Sequence, residues 1–500
     1  MVAPRRRRRS PSGPDGRPHA GGGERSARGA MASEQKAAAR VSVNRPAPSP
    51  KLNAGADRIN ALPDHLLLEI LERLDLREAV RAGALSRRWR RLPKHLSRVD
   101  LDVAHFQGAT PLEAMDAFTG AAWSLLAGVP LAESSALKSL ILGFYMPSPS
   151  HLSTIGRLVQ DVVSLGQTEC LEFCISVPSR SNTVPQLAEI GRQFMSFCRT
   201  YPVAFSWLTS LALERLAFGT SDITELIRAC GRLRCLILGL CRMVDLHSTL
   251  KIDTPHSGIQ ELKFTFVGCM QINLISVPKL RQVVCHYCFS SYVPLHFGYV
   301  PELRNVILNS RARAWQRPFA LSECLSRSAS NLSSLHLGFK QQMIRILPEH
   351  PKKLTAMFRN LTSVFLWGIF NECDLNWTLF ILEAAPCLTC IDLSRHSCIE
   401  TPDNSAEKTN VVWEPSKDLK HLNLKLLVIH GCEDEDKVTD YVRLVMERAV
   451  WPLIIQLQDE FPCSDCNATN LDRSKADKAS RRRIKERLAH GSSSFVEIII

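Results

Sequence analysis

The period of the apolar positions changes along this chain, and the changes divide it into parts. Residues 1–57 are rich in Arg, Ala, Gly, Ser and Pro, with almost no large apolar groups. Such a stretch cannot offset the entropy of ordering, so a disordered basic tail is expected there. From Arg58 the character changes. Leu67, Ile70, Leu71 and Leu74 fall at i, i+3, i+4 and i+7, one stripe of a helix. Pro63 stands where a first helical turn tolerates it. Asp75 and Glu78 make a capping-box pattern for a second helix through Val80. Gly83 allows a break, and Ser86 can cap a short third helix that carries Trp89 and is stopped by Pro93. Three short helices in roughly forty residues are near the limit at which a fold needs a partner or a neighbour. The apolar groups of this stretch are too many for so small a piece to bury alone.

After Leu101 the period changes. The pattern L-x-x-L-x-L, with Val, Ile or Cys admitted at the later positions, begins at Leu137, Leu208, Leu233, Leu280, Leu303, Leu332, Leu361 and Leu388. The last five starts are 23, 29, 29 and 27 residues apart. That is the period of leucine-rich repeats. Residues two apart on a strand share a face, so Leu236 and Leu238 point inward together. Between strands, "SDITELIRACG" puts Ile223, Leu226, Ile227 and Cys230 at helical spacing, so the chain is expected to return as helix. One such unit cannot cover its own apolar side, whereas stacked neighbours can. The Asn or Cys that usually follows the strand stands out only at Cys241 and Cys288, and residues 145–205 are poorly periodic. The expected fold class is α/β. A three-helix unit at 58–100 leads into a curved parallel sheet over 101–415 with helices on its convex side.

On the strand face that looks outward, the fifth residue of each pattern and its alternate neighbours are exposed. This places His336, Phe365, Trp367 and Asp392 side by side on three successive strands. A solvated face has little reason to show Phe beside Trp, and contact centres are rich in aromatics. These four are the candidate target-binding residues. Residues 416–500 read as strand, acidic loop, helix, strand, basic helix and final apolar strand. Val438, Tyr441, Val442 and Val445 form the first helix's stripe, and Phe495–Ile500 forms the last strand, expected to pair with the last strands of the repeats.

Composition narrows the function. The 500 residues carry a formal net charge of +13. Residues 1–56 hold twelve Lys/Arg against three Asp/Glu, leaving only +4 for the rest, so the charge does not call for a nucleic-acid partner. Arg5–Arg9 fits a solvated tail or a nuclear-import signal. Met31 opens "MASEQKAAAR", which reads as an alternative start. No run of eighteen apolar residues occurs, and the first residues have charge without an apolar stretch behind them, so neither a membrane span nor a secretory leader is expected. Seventeen cysteines without a disulfide-like framework point to a reducing compartment, cytoplasm or nucleus, and make the sequons at Asn331, Asn360 and Asn376 incidental. No phosphate-binding loop, zinc-protease motif or nucleophile elbow is present. Of the two C-x-x-C pairs, Cys285/Cys288 reads as small apolar groups in a strand, and Cys463/Cys466 as a loop pair short of the four ligands structural zinc needs. The basic run Arg481, Arg482, Arg483, Lys485 and Arg487 reads as the solvated face of a helix. No cofactor, metal or catalytic residue is assigned.

"LPDHLLLEILERLDLREAVRAGALSRRWRRL", residues 62–92, resembles an F-box. That module docks its carrier onto the Skp-family adaptor of cullin ubiquitin ligases. The resemblance rests on Leu62-Pro63, Ile70-Leu71, and Leu85-Ser86 with Trp89. It implies that these residues serve the adaptor face and that the adaptor covers the surplus apolar surface. Residues 416–500 are similar to the FBD domain that follows repeats in many plant F-box proteins, although "WPLIIQLQ" departs from its usual middle strand. Together the resemblances imply a plant F-box protein with leucine-rich repeats. It would be a non-catalytic substrate receptor of an SCF-type ligase, bound to adaptor and cullin and holding an unknown protein target. The alternative is a repeat scaffold outside any ligase, its F-box-like helices acting only as a cap.

Overall fold

Every one of the eight leucine-anchored segments forms a strand of one parallel sheet. The computed structural model describes residues 59–499 except 60, 107–109, 128–136, 147–148, 179–181, 287–292, 294, 310–316, 343–345, 372, 397–412, 415, 417–422, 432–435, 451, 460–477 and 490–495. The chain divides into two compact units, residues 1–61 and 62–500. In the first, only Ile59 and Ala61 are described, both in a turn, so the expectations for the basic tail lie outside the described residues.

The second unit opens with helices Asp64–Leu71 and Leu76–Ala82. The Asp75 carboxylate accepts from the Glu78 N–H at 2.8 Å, as the capping pattern requires. The expected third helix is instead a run of turns. The Ser86 hydroxyl accepts from the Trp89 N–H at 3.3 Å, and a short 3-10 helix, Leu92–His95, comes next. Pro93 lies inside that helix rather than ending it, because an early helical position needs no N–H. These helices have a core of their own, made of Leu67, Leu71, Ala79, Trp89, Leu92 and Leu96.

Among the described residues the main sheet has fourteen strands, all parallel and arranged in chain order from Arg98–Asp102 to Val496–Ile499. Three of them were not anticipated: Arg98–Asp102, Cys170–Ser176 and Glu261–Thr265. Each obeys the same rule, two of them with a different first residue. Leu96, Thr168 and Ile259 are the buried anchors, followed by Val99 and Leu101, Leu171 and Phe173, and Leu262 and Phe264. The poorly periodic stretch is explained by long return helices, Pro149–Ser164 and Val184–Thr200. In the middle, however, the chain does not return as helix. Thr249–Asp253, Gln271–Ser276 and Leu295–Tyr299 form a second parallel sheet. Leu250 and Ile252, Ile272 and Leu274, and Leu295 and Phe297 alternate inward there, which is a period of two rather than 3.6.

Polar side chains stitch one repeat to the next at recurring positions. The amides of Asn331, Asn360 and Asn423, each just before a buried leucine, donate to Pro301, Ser330 and Pro386 carbonyls at 2.7–2.8 Å. The hydroxyls of Thr209, Thr362 and Thr389 donate to carbonyls of the preceding strand's start at 3.0 Å. Asn331 and Asn360, read as incidental sequons, are therefore structural groups. Cys241, at the position usually held by Asn or Cys, donates its thiol to the Leu213 carbonyl at 3.3 Å, and burial pushes that thiol up to about 12. Cys288 and the Cys463/Cys466 pair lie outside the described residues. Cys285 is buried in its strand but is also disulfide-bonded, which corrects its reading as a simple apolar group.

The C-terminal part continues the sheet. Strands Leu426–His430, Leu453–Gln458 and Val496–Ile499 add to the edge left by Cys390–Arg395, with helices Asp436–Arg448 and Lys478–Ala489 between them. The last strand pairs with Leu453–Gln458, a strand of the same C-terminal part, and not with the repeats themselves. Strand Leu426–His430 makes the junction. Val438, Tyr441, Ile484 and Leu488 belong to the same apolar core as the repeats. The Tyr441 hydroxyl is buried 2.7 Å from that of Thr378.

Candidate adaptor and target faces

The first face is built from helix Asp64–Leu71 together with helix Leu76–Ala82 and the turns after it. The expected single stripe splits in two. Leu67 and Leu71 point into the small core at 0% exposure, whereas Ile70 and Leu74 stay about two-fifths exposed at 41% and 40%. Leu66 and Val80 are also exposed, and Leu85 is 71% exposed. A helix apolar on both sides needs a cover on each, and its own fold supplies only one. Of the six residues singled out from the sequence, Pro63, Ile70 and Leu85 are at the surface and Leu62 is half-buried. Leu71 and Trp89 lie in the core, so a partner cannot touch them without unfolding the unit. Arg88, which nothing in the pattern marked, fastens the entry to the first helix: Nε donates to the Asp64 carboxylate and Nη2 to the Leu62 carbonyl, both at 2.6 Å. Between these helices and the first strand is a cleft of about 630 Å3 bordered by Leu74, Arg77, Arg98 and His105.

The second face lies on the strands. Register sets His336 beside Phe365 and Phe365 beside Asp392, with Trp367 opposite Gly338. The His336 ring stacks on Phe365 at 4.3 Å between centroids, and Trp367 meets both edge-on at 5.4 and 6.3 Å. All four predicted residues are therefore brought together. Trp367 remains 42% exposed. Ser334 Oγ holds His336 Nε2 at 2.9 Å, while His336 Nδ1 is buried without a hydrogen-bond partner among the described residues. Burial lowers the affinity of His336 for a proton, and the nearby Asp392 only partly opposes this. Asp392 also approaches the buried His430 at 3.4 Å, a residue that the pattern did not bring forward because its strand lies outside the repeats.

Among the described residues, no group of three or more His, Cys, Asp or Glu is placed to hold a metal ion, and no helix is long and apolar enough to cross a membrane. The basic helix Lys478–Ala489 turns Ile484 and Leu488 inward. Arg482 pairs with Glu486 at 2.7 Å, and Arg487 pairs with Asp436.

Against known families, residues 59–100 match the F-box domain. The chain carries an F-box. The relatives extend the likeness beyond it. An F-box protein of Arabidopsis thaliana is 40% identical over 55 residues, 11% of this chain and 14% of its own length. An F-box/LRR-repeat protein of the same plant is 26% identical over 252 residues, covering 48% and 49%. An FBD-associated F-box protein is 43% identical over 188 residues, covering 36% and 40%. The chain thus matches at most about half the length of these relatives. F-box, leucine-rich repeats and an FBD-like end describe it together.

Proposed function

We propose that this F-box chain is the non-catalytic substrate receptor of an SCF-type ubiquitin ligase. The observation that carries the proposal is the apolar strip of Leu66, Ile70, Leu74, Val80 and Leu85, left uncovered beside a complete core. Covering a Leu or Ile side chain is worth about 1.5–3 kcal/mol. A Skp-family adaptor docks on this strip, with Leu62 and Pro63 at its rim and Leu71 and Trp89 holding it from beneath, and the adaptor links the chain to a cullin. The strand face at His336, Phe365, Trp367 and Asp392 holds a protein target. The chain's contribution is proximity: tethering the target raises its effective concentration at the charged transfer enzyme to the order of millimolar.

Capture of the purified adaptor by the full chain is the test. Ile70→Glu and Leu85→Glu change exposed side chains, so each leaves the melting temperature unaltered while weakening capture at least ten-fold. Undiminished capture by the double variant, still folded, refutes adaptor docking and leaves the helices as a cap.

A further inference from the structure

The strand face holds a second feature, far from the aromatic cluster. A hollow of about 390 Å3 lies over the early strands. Its floor is made of small residues in one row across four strands: Gly143, Cys174 and Ala212, then Ile237. Asp102 and Glu214 line its sides. Two glycines make room for these carboxylates. A Cβ on Gly143 would stand 2.7 Å from Asp102 Oδ2, and one on Gly239 would touch the Glu214 side chain at 3.7 Å. Glu172 sits one row over, on the same strand as Cys174. The Cys174 thiol registers this surrounding charge: burial raises its pKa, and Glu172, Asp102 and Asp100 raise it further.

The charges of this region do not cancel. Arg98 approaches Asp100 at 3.9 Å, Arg215 pairs with Glu214 at 2.9 Å and Lys263 with Glu261 at 3.0 Å. Among the described residues, no ion pair engages Asp102 or Glu172. Asp102 accepts from the Ala104 N–H, and Glu172 accepts from the Cys170 thiol. A walled hollow with a largely apolar floor, one lining carboxylate without an ion pair, Asp102, and Glu172 close by suits the aliphatic stem and charged head of a long cation.

From the hollow, the same row runs on through Lys263, Val284, Ile307 and His336 to Phe365. Apart from Lys263 and His336 it is apolar, and it ends on the aromatic cluster. We propose that the hollow takes a Lys or Arg side chain from an extended segment of the target, which lies across the strands with an apolar residue against Phe365 and Trp367. This rests on the reading of the strand face as the target site and specifies what the target presents. Six strand steps of about 4.8 Å separate Ala212 from Phe365, roughly 29 Å. An extended chain covers that in about eight or nine residues. The cation and the apolar anchor are therefore about that far apart in the target's sequence.

The test uses phage-displayed random peptides of twelve residues, selected on the full chain. Recovered peptides are expected to carry Lys or Arg eight or nine residues from a Phe, Trp or Leu. Their binding should fall at least ten-fold with added salt, in the triple variant Asp102→Asn, Glu172→Gln, Glu214→Gln, and in Ala212→Trp, which fills the hollow without altering charge. Thermal melting of each variant reports its fold. Peptides without a basic residue, or peptides indifferent to these variants but lost on Phe365→Ser with Trp367→Ser, overturn this inference and leave the target face standing. Peptides indifferent to every variant, or no recovered peptide at all, overturn both.

Discussion

Leu85 and Trp89 are four residues apart and do opposite work. Trp89 is 4% exposed in the six-residue core of the F-box, and Leu85 is 71% exposed beside it. Trp89→Ala is therefore expected to destabilise the F-box by about 3–5 kcal/mol, read as a lower denaturant midpoint. Leu85→Ala should leave that midpoint within error and weaken adaptor capture alone. The double change Leu62→Ala, Pro63→Ala should also cost capture, and a melt that reports the repeats should not move. On the strand face the informative residues are His286 and His336, whose proton affinity burial lowers. With a folded pKa below the ordinary 6.5, their neutral form is the one folding favours. The stability they contribute is complete above that value and is lost as pH falls through the window beneath it. Urea midpoints at pH 8 and pH 5.5 should differ, and by less in His336→Gln. The sequence marked Leu85 and Trp89 together as apolar. It did not separate them, because both stand in a run of turns, where no helical or strand period tells an inward position from an outward one.

At the scale of elements, the close approaches are as telling as the strands. Helix Val184–Thr200 runs so near the short strand Ala217–Phe218 that a Cβ on Gly191 would stand 1.9 Å from the Ala217 carbonyl oxygen. Gly191→Ala should push the helix away and destabilise the repeats by about 1–3 kcal/mol in chemical unfolding. Tyr441→Phe removes the buried bond to Thr378 that joins the C-terminal helix to the repeats, a loss of about 1 kcal/mol. Much of this layer was legible: L-x-x-L-x-L is the local signature of a strand buried on one side, and it located eight of the fourteen main-sheet strands. Two of the other repeat strands were missed where Thr168 or Ile259 replaced the anchoring leucine, and the first, with Leu96, Val99 and Leu101, fits the pattern but begins within the three-helix unit, ahead of the expected repeats. The returning strands at 249–253, 271–276 and 295–299 were missed because a helix was expected on that side. Their alternation of Leu250 with Ile252 and Ile272 with Leu274 was present to be read. The aromatic cluster was legible because parallel register carries a face from strand to strand. The hollow was not, since small residues become a cavity only when strands 30–40 positions apart in the chain are set side by side.

Taken whole, residues 62–500 contain two apolar cores of unequal size, one of six buried residues and one that runs from the first strand to the C-terminal helices. Among the described residues the joint is small: the partly buried Leu76 packs against both, and Leu96 of the small core adjoins the first strand. So narrow a joint lets the small core melt while the large one stays folded, and heating should give two transitions, the smaller one first. Any molecule that binds only the folded F-box moves that first transition and no other. At one hundred times its dissociation constant the gain is about 2.7 kcal/mol. The F-box is then a segment whose survival tracks the supply of its partner: short of partner it opens often and is exposed to proteolysis, and in excess of partner it is held shut.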